Sequence, residues 1–294
     1  MKLIIGLTLF LLGLFLLALF AGGRLSNARA LLPAPADNMT EEAHYPTGNP
    51  AVADAPPVIV ELFTSEGCSS CPPADQVLMR LDQERVISGA TVIALSQHVD
   101  YWNRLGWRDP FSSEQFSQRQ GGYADAFGRD GVYTPQMVVD GRAEFVGSNL
   151  TKAREAIAQA ARTPKAKVQI TFAPTAERAK SAALPIIVGV ENLPPLSAND
   201  TAEAWLAITE SDLSSSVPTG ENAGRNLRHT AVVRQLSSIG TIVRGDAKNG
   251  APFTATHNIF LERHWRRDKL RVVVFVQEQN SKHVLGATMI DLAK

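Results

Sequence analysis

The stretch VIVELFTSEGCSSCPPAD, residues 58–75, carries the strongest structural signal in the chain. Residues 58–63 are almost all apolar, which is typical of a strand buried on both faces of a sheet. Cys68 and Cys71 follow with the spacing C-x-x-C, and two prolines come directly after them. Proline is tolerated in the first turn of a helix because the N–H groups there have no helical partner. We therefore predict a strand, a short loop with both cysteines, and a helix that begins between Cys71 and Ala74.

Strands and helices alternate from this stretch to residue 163. The predicted elements after the cysteines are a helix over 74–86, a strand over 91–95, a helix that starts near 112, a strand over 136–139, a strand through 145–146 and a helix over 151–162. Asp140-Gly141 joins the last two strands and favours a tight hairpin turn. This alternation predicts an α/β domain over residues 57–163, with a central mixed sheet and helices on both faces.

The pattern changes after Thr163-Pro164. Turn clusters separate strand-like runs over 168–172, 184–190, 204–209, 230–236, 254–261, 270–277 and 284–290. The sequence between these runs has no helical periodicity. Short strands at this spacing predict an all-β, sandwich-like C-terminal domain over residues 164–294.

The N-terminal segment, residues 1–30, predicts export. Residues 3–21 are an apolar run, and Ala28-Arg29-Ala30 matches an A-x-A cleavage site. A signal peptide removed after this site and an uncleaved membrane anchor share these features, and the run just reaches spanning length. In either case we expect the rest of the chain to be periplasmic or secreted, with a membrane tether through residues 3–21 in the second case. Residues 31–56, rich in Pro and Ala, are expected to form a flexible leader.

Composition narrows the classes of function. The 29 Lys and Arg residues balance the 29 Asp and Glu residues, so the formal net charge is zero. Because nucleic-acid-binding proteins need a basic surface, we expect no nucleic-acid partner. Two cysteines are too few for a fold held together by disulfides, so the pair is free for a functional role. We expect no cofactor.

The cysteine pair has the arrangement of a thiol–disulfide exchange site. In such a site a thiolate attacks a disulfide, and a second thiol resolves the mixed disulfide. The attacking thiol needs solvent exposure and a lowered pKa, which the N–H groups and dipole of a helix N-terminus favour. We assign Cys68, at the helix N-terminus, as the nucleophile and Cys71, one helical turn later, as the resolving thiol. The expected function is a thiol–disulfide oxidoreductase, whose partner is a thiol or disulfide of a protein or small molecule.

Two segments carry a family resemblance. FTSEGCSSCPPAD at residues 63–75 and YTPQMVVDGR at residues 133–142 resemble segments of thioredoxin-fold proteins. More narrowly, they are similar to the bacterial secreted proteins grouped as domain of unknown function 1223. The resemblance covers residues 57–163 and extends to the β-rich remainder, and it implies an exported thioredoxin-like domain without an established activity. The insert over 98–123 and the two serines between the cysteines depart from thioredoxin itself, so the redox potential stays open.

Thr134, Pro135 and Trp102 are predicted to bind substrate. The resemblance implies that Thr134-Pro135 forms a cis-proline loop against the cysteine pair, and X-Pro is the one peptide bond for which cis costs little. Thr134 would then pair with the backbone of a substrate. An ordinary trans turn proline is the alternative. Trp102 lies in an insert rich in polar and aromatic residues, which either lines a substrate cleft or fills the core under a long loop.

Glu61 and His98 are auxiliary candidates. The resemblance implies a buried acid beneath the cysteines that assists proton transfer to the resolving thiol, and Glu61 is the candidate for it. A salt-bridged glutamate is the alternative, since the side chains of a strand alternate between its faces. His98 could join the cysteines in a Cu(I) site, because Cu(I) favours soft thiolates. Otherwise it is a hydrogen-bonded residue at the end of a strand.

Two functions of other classes stay open. The chain could be a metal carrier that uses the cysteines with His98, or a binding protein that recognises its partner through the β domain. Gly220–His229 is a dense polar segment that suits either a solvated hairpin loop or part of a domain interface or site. A purely structural disulfide is disfavoured, because closing so small a loop removes little entropy from the unfolded chain.

Overall fold

A computed structural model of the chain describes residues 55–173, 183–242 and 252–292, all within one compact unit. The predicted signal or anchor over 1–30 and nearly all of the leader over 31–56 lie outside these ranges. Within them, no helix is long and apolar enough to cross a membrane.

Three α-helices and fourteen strands are found in the described residues. The helices are α1 (Pro72–Glu84), α2 (Glu114–Ala126) and α3 (Leu150–Ala160). The strands are β1 (Pro57–Thr64), β2 (Val86–Ile87), β3 (Ala90–His98), β4 (Gln136–Val139), β5 (Ala143–Val146), β6 (Lys167–Phe172), β7 (Leu184–Glu191), β8 (Ala202–Glu210), β9 (Leu213–Val217), β10 (Arg225–His229), β11 (Val232–Ile242), β12 (Phe253–Ile259), β13 (Leu270–Glu278) and β14 (Val284–Asp291). The helix after the cysteines begins at Pro72, within the predicted interval.

The first half of the chain builds the centre of a mixed sheet. β1 is parallel to β3 and antiparallel to β4, and β4 pairs with β5 across the turn at Asp140-Gly141. Val60 and Leu62 of β1 pack with α1 and α3. Ile59 and Phe63 alternate with them and pack with α2 on the opposite face. The predicted mixed sheet with helices on both faces is therefore confirmed.

The same sheet continues into the second half of the chain. β11 runs parallel to β3 where Val232 pairs with Ser96. The nine-stranded sheet has the order β14-β13-β8-β11-β3-β1-β4-β5, with β2 paired to β3. The prediction of a separate all-β domain over 164–294 needs correction, because four of its strands extend the central sheet. An edge strand offers unpaired N–H and C=O groups, and local sequence patterns do not tell which later strand will bind them.

A second layer covers the far part of this sheet. β12, β7 and β6 form a three-stranded sheet, and its Ile186 and Val188 pack with Leu206 of β8 and Val274 of β13. This local sandwich is the part of the predicted all-β fold that the structure contains. Among the described strands, β9 and β10 pair only with each other, and their hairpin is not among the predicted strands.

Candidate functional site

Cys68 and Cys71 form a disulfide at the N-terminus of α1. Cys71 is the residue directly before the helix, and its carbonyl accepts hydrogen bonds from Ala74 N (2.8 Å) and Asp75 N (3.1 Å). Cys68 lies three residues earlier, in a turn that the bond from Cys68 N to Ser65 O (3.1 Å) closes. The helix N-terminal position predicted for Cys68 therefore needs correction, because Cys71 occupies it.

Both cysteines are covered in this disulfide form. Cys68 and Cys71 each have 0% exposure, although Ser69 and Ser70 between them are exposed. Cys68 Sγ lies 3.4 Å from Ser70 Oγ. The exposure that a nucleophilic Cys68 needs is therefore not present in the disulfide form.

Trp102 connects two of the predicted substrate-binding positions to the loop before the disulfide. The Thr134–Pro135 peptide bond is cis, and Trp102 Nε1 donates a hydrogen bond to Thr134 Oγ1 at 2.8 Å. Trp102 also packs tightly on the loop before Cys68, where a methyl group at Gly67 would come within 3.2 Å of Trp102 Cβ. The glycine at this position therefore permits the close approach of the tryptophan. The cis form predicted for Thr134–Pro135 is present, and the substrate-binding role of the three residues stays a prediction.

His98 lies at the buried end of β3, paired in register with Thr64 of β1. Its Nδ1 lies 2.7 Å from Asp109 Oδ2, and its ring meets the ring of His229 with centroids 4.8 Å apart. This is the hydrogen-bonded strand-end arrangement, one of the two alternatives for His98. Within the described part of the chain, no group of three or more His, Cys, Asp or Glu residues is arranged to hold a metal ion.

Asp109 orients His98 and is itself held by two backbone donors. Burial alone would raise the pKa of Asp109, but His98 and the N–H groups of Glu66 and Phe111 outweigh it and hold this pKa below its usual value. Asp109 is therefore ionised at neutral pH, and His98 Nδ1 donates to it. His98 Nε2 is buried and has no hydrogen-bond partner among the described residues.

Glu66, two residues before Cys68, is bonded to the insert and to two positions in the second half of the chain. Its N–H donates to Asp109 Oδ2 (2.8 Å), and its carbonyl accepts from Asn222 Nδ2 (2.8 Å). Its carboxylate accepts from Trp107 Nε1 (2.8 Å) and lies 3.0 Å from His229 Nε2. The polar groups of Glu66 are thus bound by residues of the insert and of the second half of the chain. This arrangement fixes the backbone that leads into Cys68.

Asp75 is a second buried acid beside the disulfide. It is 7% exposed, follows Cys71 by one helical turn, and its Oδ1 has no hydrogen-bond partner in the described part of the chain. Burial raises the pKa of Asp75 to about 7, against the opposing effect of the nearby His229 imidazole. We call Glu66, Asp75, His98, Asp109 and His229 the acid–histidine cluster.

A loop from the second half of the chain closes the site. Asn222 Nδ2 donates to the carbonyl of Cys68 at 2.9 Å as well as to that of Glu66. Glu221 Oε2 accepts a hydrogen bond from Ser69 N at 3.0 Å. Residues 218–224, between β9 and β10, are named the clasp loop below. The polar segment Gly220–His229 thus contributes to the site instead of being only a solvated hairpin.

Glu61 does not lie beneath the cysteines. Its carboxylate accepts hydrogen bonds from Arg119 Nε (2.6 Å) and Arg119 Nη2 (3.0 Å), and also from Tyr123 and Gln97. Because strand side chains alternate, Leu62 faces α1 while Glu61 faces α2 with Phe63. The proton-transfer role predicted for Glu61 needs correction, and the salt-bridge alternative describes this residue.

Glu66, Asp75, Asn222 and His229 were not predicted as site residues, and the sequence signals for them differ. Glu66 and Asp75 lie inside the stretch that predicts the site, but so does Glu61, so closeness in the sequence alone does not single them out. Asn222 and His229 fall in the polar segment that the sequence marks without assigning a role. Their distance along the chain hides their contact with Cys68 and Glu66.

Two solved structures resemble most of this chain. The crystal structure of protein AGR_C_4864 from Agrobacterium tumefaciens is 27% identical, with a TM-score of 0.59, over 81% of this chain and 94% of that one. HBP35 of Porphyromonas gingivalis has a TM-score of 0.54 over 82% of this chain and 76% of that one, and its 15% identity limits the likeness to the fold. No match was found among curated proteins.

The family model described as a protein of unknown function, domain of unknown function 1223, matches residues 59–277. The match spans the disulfide, the cis proline, the insert and the clasp loop. It confirms the resemblance carried by residues 63–75 and 133–142, and this chain therefore belongs to that family.

Proposed function

We propose that this protein is an exported thiol–disulfide oxidoreductase with a thioredoxin-like site, which exchanges with a thiol or disulfide of a protein or small molecule. One observation carries the proposal: the disulfide at the start of α1 lies between a loop on which Trp102 packs and the buried acid Asp75, one helical turn after Cys71. A structural disulfide needs no such neighbours, and a loop of this size stabilises a fold little.

The exchange begins when an external thiolate attacks Cys68 Sγ. The Cys68–Cys71 bond breaks, its electron pair goes to Cys71 Sγ, and a mixed disulfide forms between Cys68 and the partner. A second external thiolate then attacks the partner's sulfur and releases Cys68. The protein pair has gained two electrons and the external thiols have lost two. The reverse sequence oxidises the protein pair again.

Asp75 is suited to give Cys71 the proton that it needs. A thiolate released in a dry site is unfavourable unless it is protonated or paired. Asp75 follows Cys71 by four residues, a spacing that puts two side chains on one side of a helix. Because burial raises the pKa of Asp75 to about 7, the acid is partly protonated near neutral pH and can both give and accept a proton.

The proposed location outside the cytoplasm rests on two features. Residues 3–21 form an apolar segment of export type. The cysteines are paired, and disulfides persist mainly in oxidising compartments. An alkaline phosphatase fused after residue 56 is active only when it is exported, so an inactive fusion would refute this location.

The function is tested by reduction of insulin with dithiothreitol in the presence of the purified protein. We expect the wild-type protein to accelerate the reaction and Cys68→Ser to abolish the acceleration, because the nucleophile is lost. Cys71→Ser is expected to accumulate a mixed disulfide, visible as an added mass in non-reduced samples. A wild-type rate no higher than that of the variant with both cysteines replaced by serine would refute the function.

A further inference from the structure

A loop from the second half of the chain is hydrogen-bonded to the backbone around the disulfide. We propose that Asn222 and Glu221 of the clasp loop control access to Cys68, so that the loop must move aside before the disulfide can exchange. The proposal deepens the proposed function, on which its catalytic consequence rests, but the closure itself can be measured without any enzyme assay.

Burial shows why access has to change. A thiolate must approach one sulfur of a disulfide directly in order to displace the other. Cys68 and Cys71 are both 0% exposed, so neither sulfur can be approached in this closed arrangement. The exposed Ser69 and Ser70 show that the backbone between the cysteines reaches the surface. A small shift of the segments around Cys68 would therefore open the site.

The clasp loop holds the segment around Cys68 through three backbone groups. The buried amide of Asn222 donates to the carbonyls of Glu66 (2.8 Å) and Cys68 (2.9 Å). The carboxylate of Glu221 accepts from Ser69 N (3.0 Å). More than 150 residues separate the two sides of these contacts, so they depend on how the hairpin docks and not on local chain geometry.

The anchoring of the clasp loop favours a hinge at its tip. At the base of the hairpin, His229 binds Glu66, and Val217 and Leu227 are buried. At the tip, Gly220 and Gly224 have positive φ and flank the two residues that hold the cysteine loop. Glycine adopts such angles without steric cost, so the tip can change conformation more readily than the base.

The tip also contacts the insert, because a methyl group at Gly220 would come within 3.1 Å of Trp107 Cβ. Among the described strands, β9 and β10 pair only with each other, and a two-stranded hairpin has little stability of its own. Thr219 Oγ1 donates to the carbonyl of Gly106 at 2.6 Å, in an exposed part of the insert. Opening the tip therefore breaks these hydrogen bonds and separates Gly220 from Trp107.

The test is the rate at which a phosphine, tris(2-carboxyethyl)phosphine, reduces the disulfide of the oxidised protein. Reduction through a transient open form is proportional to the population of that form. We expect the double variant Glu221→Ala/Asn222→Ala to be reduced about tenfold faster than wild type, because its tip lacks the holding hydrogen bonds. Asn226→Ala, an exposed asparagine on β10 of the same hairpin, is the matched control and is expected to keep the wild-type rate within about twofold.

The outcomes separate closure from other effects. A folded double variant that is reduced at the wild-type rate would overturn the proposal, as would an equal acceleration by Asn226→Ala. If the double variant does not fold, Glu221→Ala alone decides, because this residue is exposed and its loss should still accelerate reduction about threefold. Faster phosphine reduction together with no insulin reduction by any variant would support the clasp and refute the oxidoreductase function.

Discussion

Two groups of buried ionisable residues flank β1, and they differ in how completely their charged atoms are bonded. On the α2 side, both carboxylate oxygens of Glu61 accept hydrogen bonds, and Arg119 pairs with them at 9% side-chain exposure. In the acid–histidine cluster, Asp75 Oδ1, His98 Nε2 and His229 Nδ1 are buried without a hydrogen-bond partner among the described residues.

This difference separates a stabilising network from a candidate reaction site. Buried polar atoms of structural networks are nearly always bonded, because an unbonded one costs free energy. Shifted pKa values do not separate the two groups, because Glu61 outweighs burial and raises the pKa of Arg119, and burial raises the pKa of Tyr123. The difference lies in the charged groups: in the Glu61 network the unbonded buried atom is the neutral Gln97 Oε1, whereas in the acid–histidine cluster it is Asp75 and both imidazoles that keep unbonded atoms. We therefore interpret the Glu61 network as structural, and the acid–histidine cluster is the part to which the proposed function assigns chemistry.

The largest expected loss of unfolding free energy comes from removing the cation of the Glu61 network. Arg119→Met leaves the Glu61 carboxylate buried without its partner, and breaking such a pair costs about 3–5 kcal/mol of unfolding free energy. Urea denaturation followed by circular dichroism measures the loss.

Arg129→Met is the matched control for that variant. Arg129 has 48% of its side chain exposed, and although its partner Glu144 has only 9% exposed, Tyr133 and Gln136 also donate to that carboxylate, so we expect a loss of about 1 kcal/mol. Equal losses for the two arginine variants would contradict the assignment of the Glu61 network as a stabilising feature.

The next effect concerns the pH dependence of stability. Because burial raises the pKa of Asp75 from 3.8 to about 7, the folded protein keeps a proton that the unfolded chain releases between those values. The unfolding free energy is therefore expected to fall as the pH rises from about 4 to about 7, by about 4 kcal/mol at most. Asp75→Asn cannot ionise and should remove this part of the slope, which urea denaturation at several pH values measures.

Asp125→Asn, at an exposed acid of α2, is the control and should keep the wild-type slope. Asp75→Asn should also exchange with insulin about 100-fold more slowly near pH 6, if the acid donates a proton in the reaction. A variant with an unchanged pH slope would show that Asp75 is not held protonated in the folded protein.

The smallest expected effect is the difference between two tryptophans of the insert that contact the loop before Cys68. Trp107→Phe removes the donor to the carboxylate of Glu66, and a hydrogen bond to a charged group contributes about 1.5–3 kcal/mol. Trp102→Phe removes the donor to the neutral hydroxyl of Thr134, and its loss is expected to be about 1 kcal/mol. Thermal unfolding ranks the two variants, and the reverse ranking would contradict the central position of Glu66.

Local patterns were enough for the secondary structure around the disulfide. The apolar run at 58–63 is a strand because it can be buried on both faces, and the two prolines mark the start of α1 because they suit a first helical turn. The Asp140-Gly141 hairpin follows from its turn chemistry in the same way. Each of these features depends on residues that are close together in the chain.

The two faces of β1 show where such patterns stop. Because side chains alternate along a strand, Glu61 and Leu62 must point to opposite faces of the sheet. Only the positions of α1 and α2 decide which of these faces lies next to the cysteines. Likewise, the pairing of β11 with β3 merges the two predicted domains into one sheet, and no local pattern marks that edge.

The amino-acid sequence alone established the family, the strand–loop–helix around Cys68 and Cys71, and the type of chemistry that a C-x-x-C pair can perform. Tertiary structure decided that both cysteines are buried and that the nearby buried acid is Asp75 instead of Glu61. It also decided that Asn222 bonds Cys68 and that His229 bonds Glu66. The physical reason is that propensity and periodicity act over a few residues. Burial, pKa shifts and hydrogen bonds between distant segments arise only when the whole sheet has assembled.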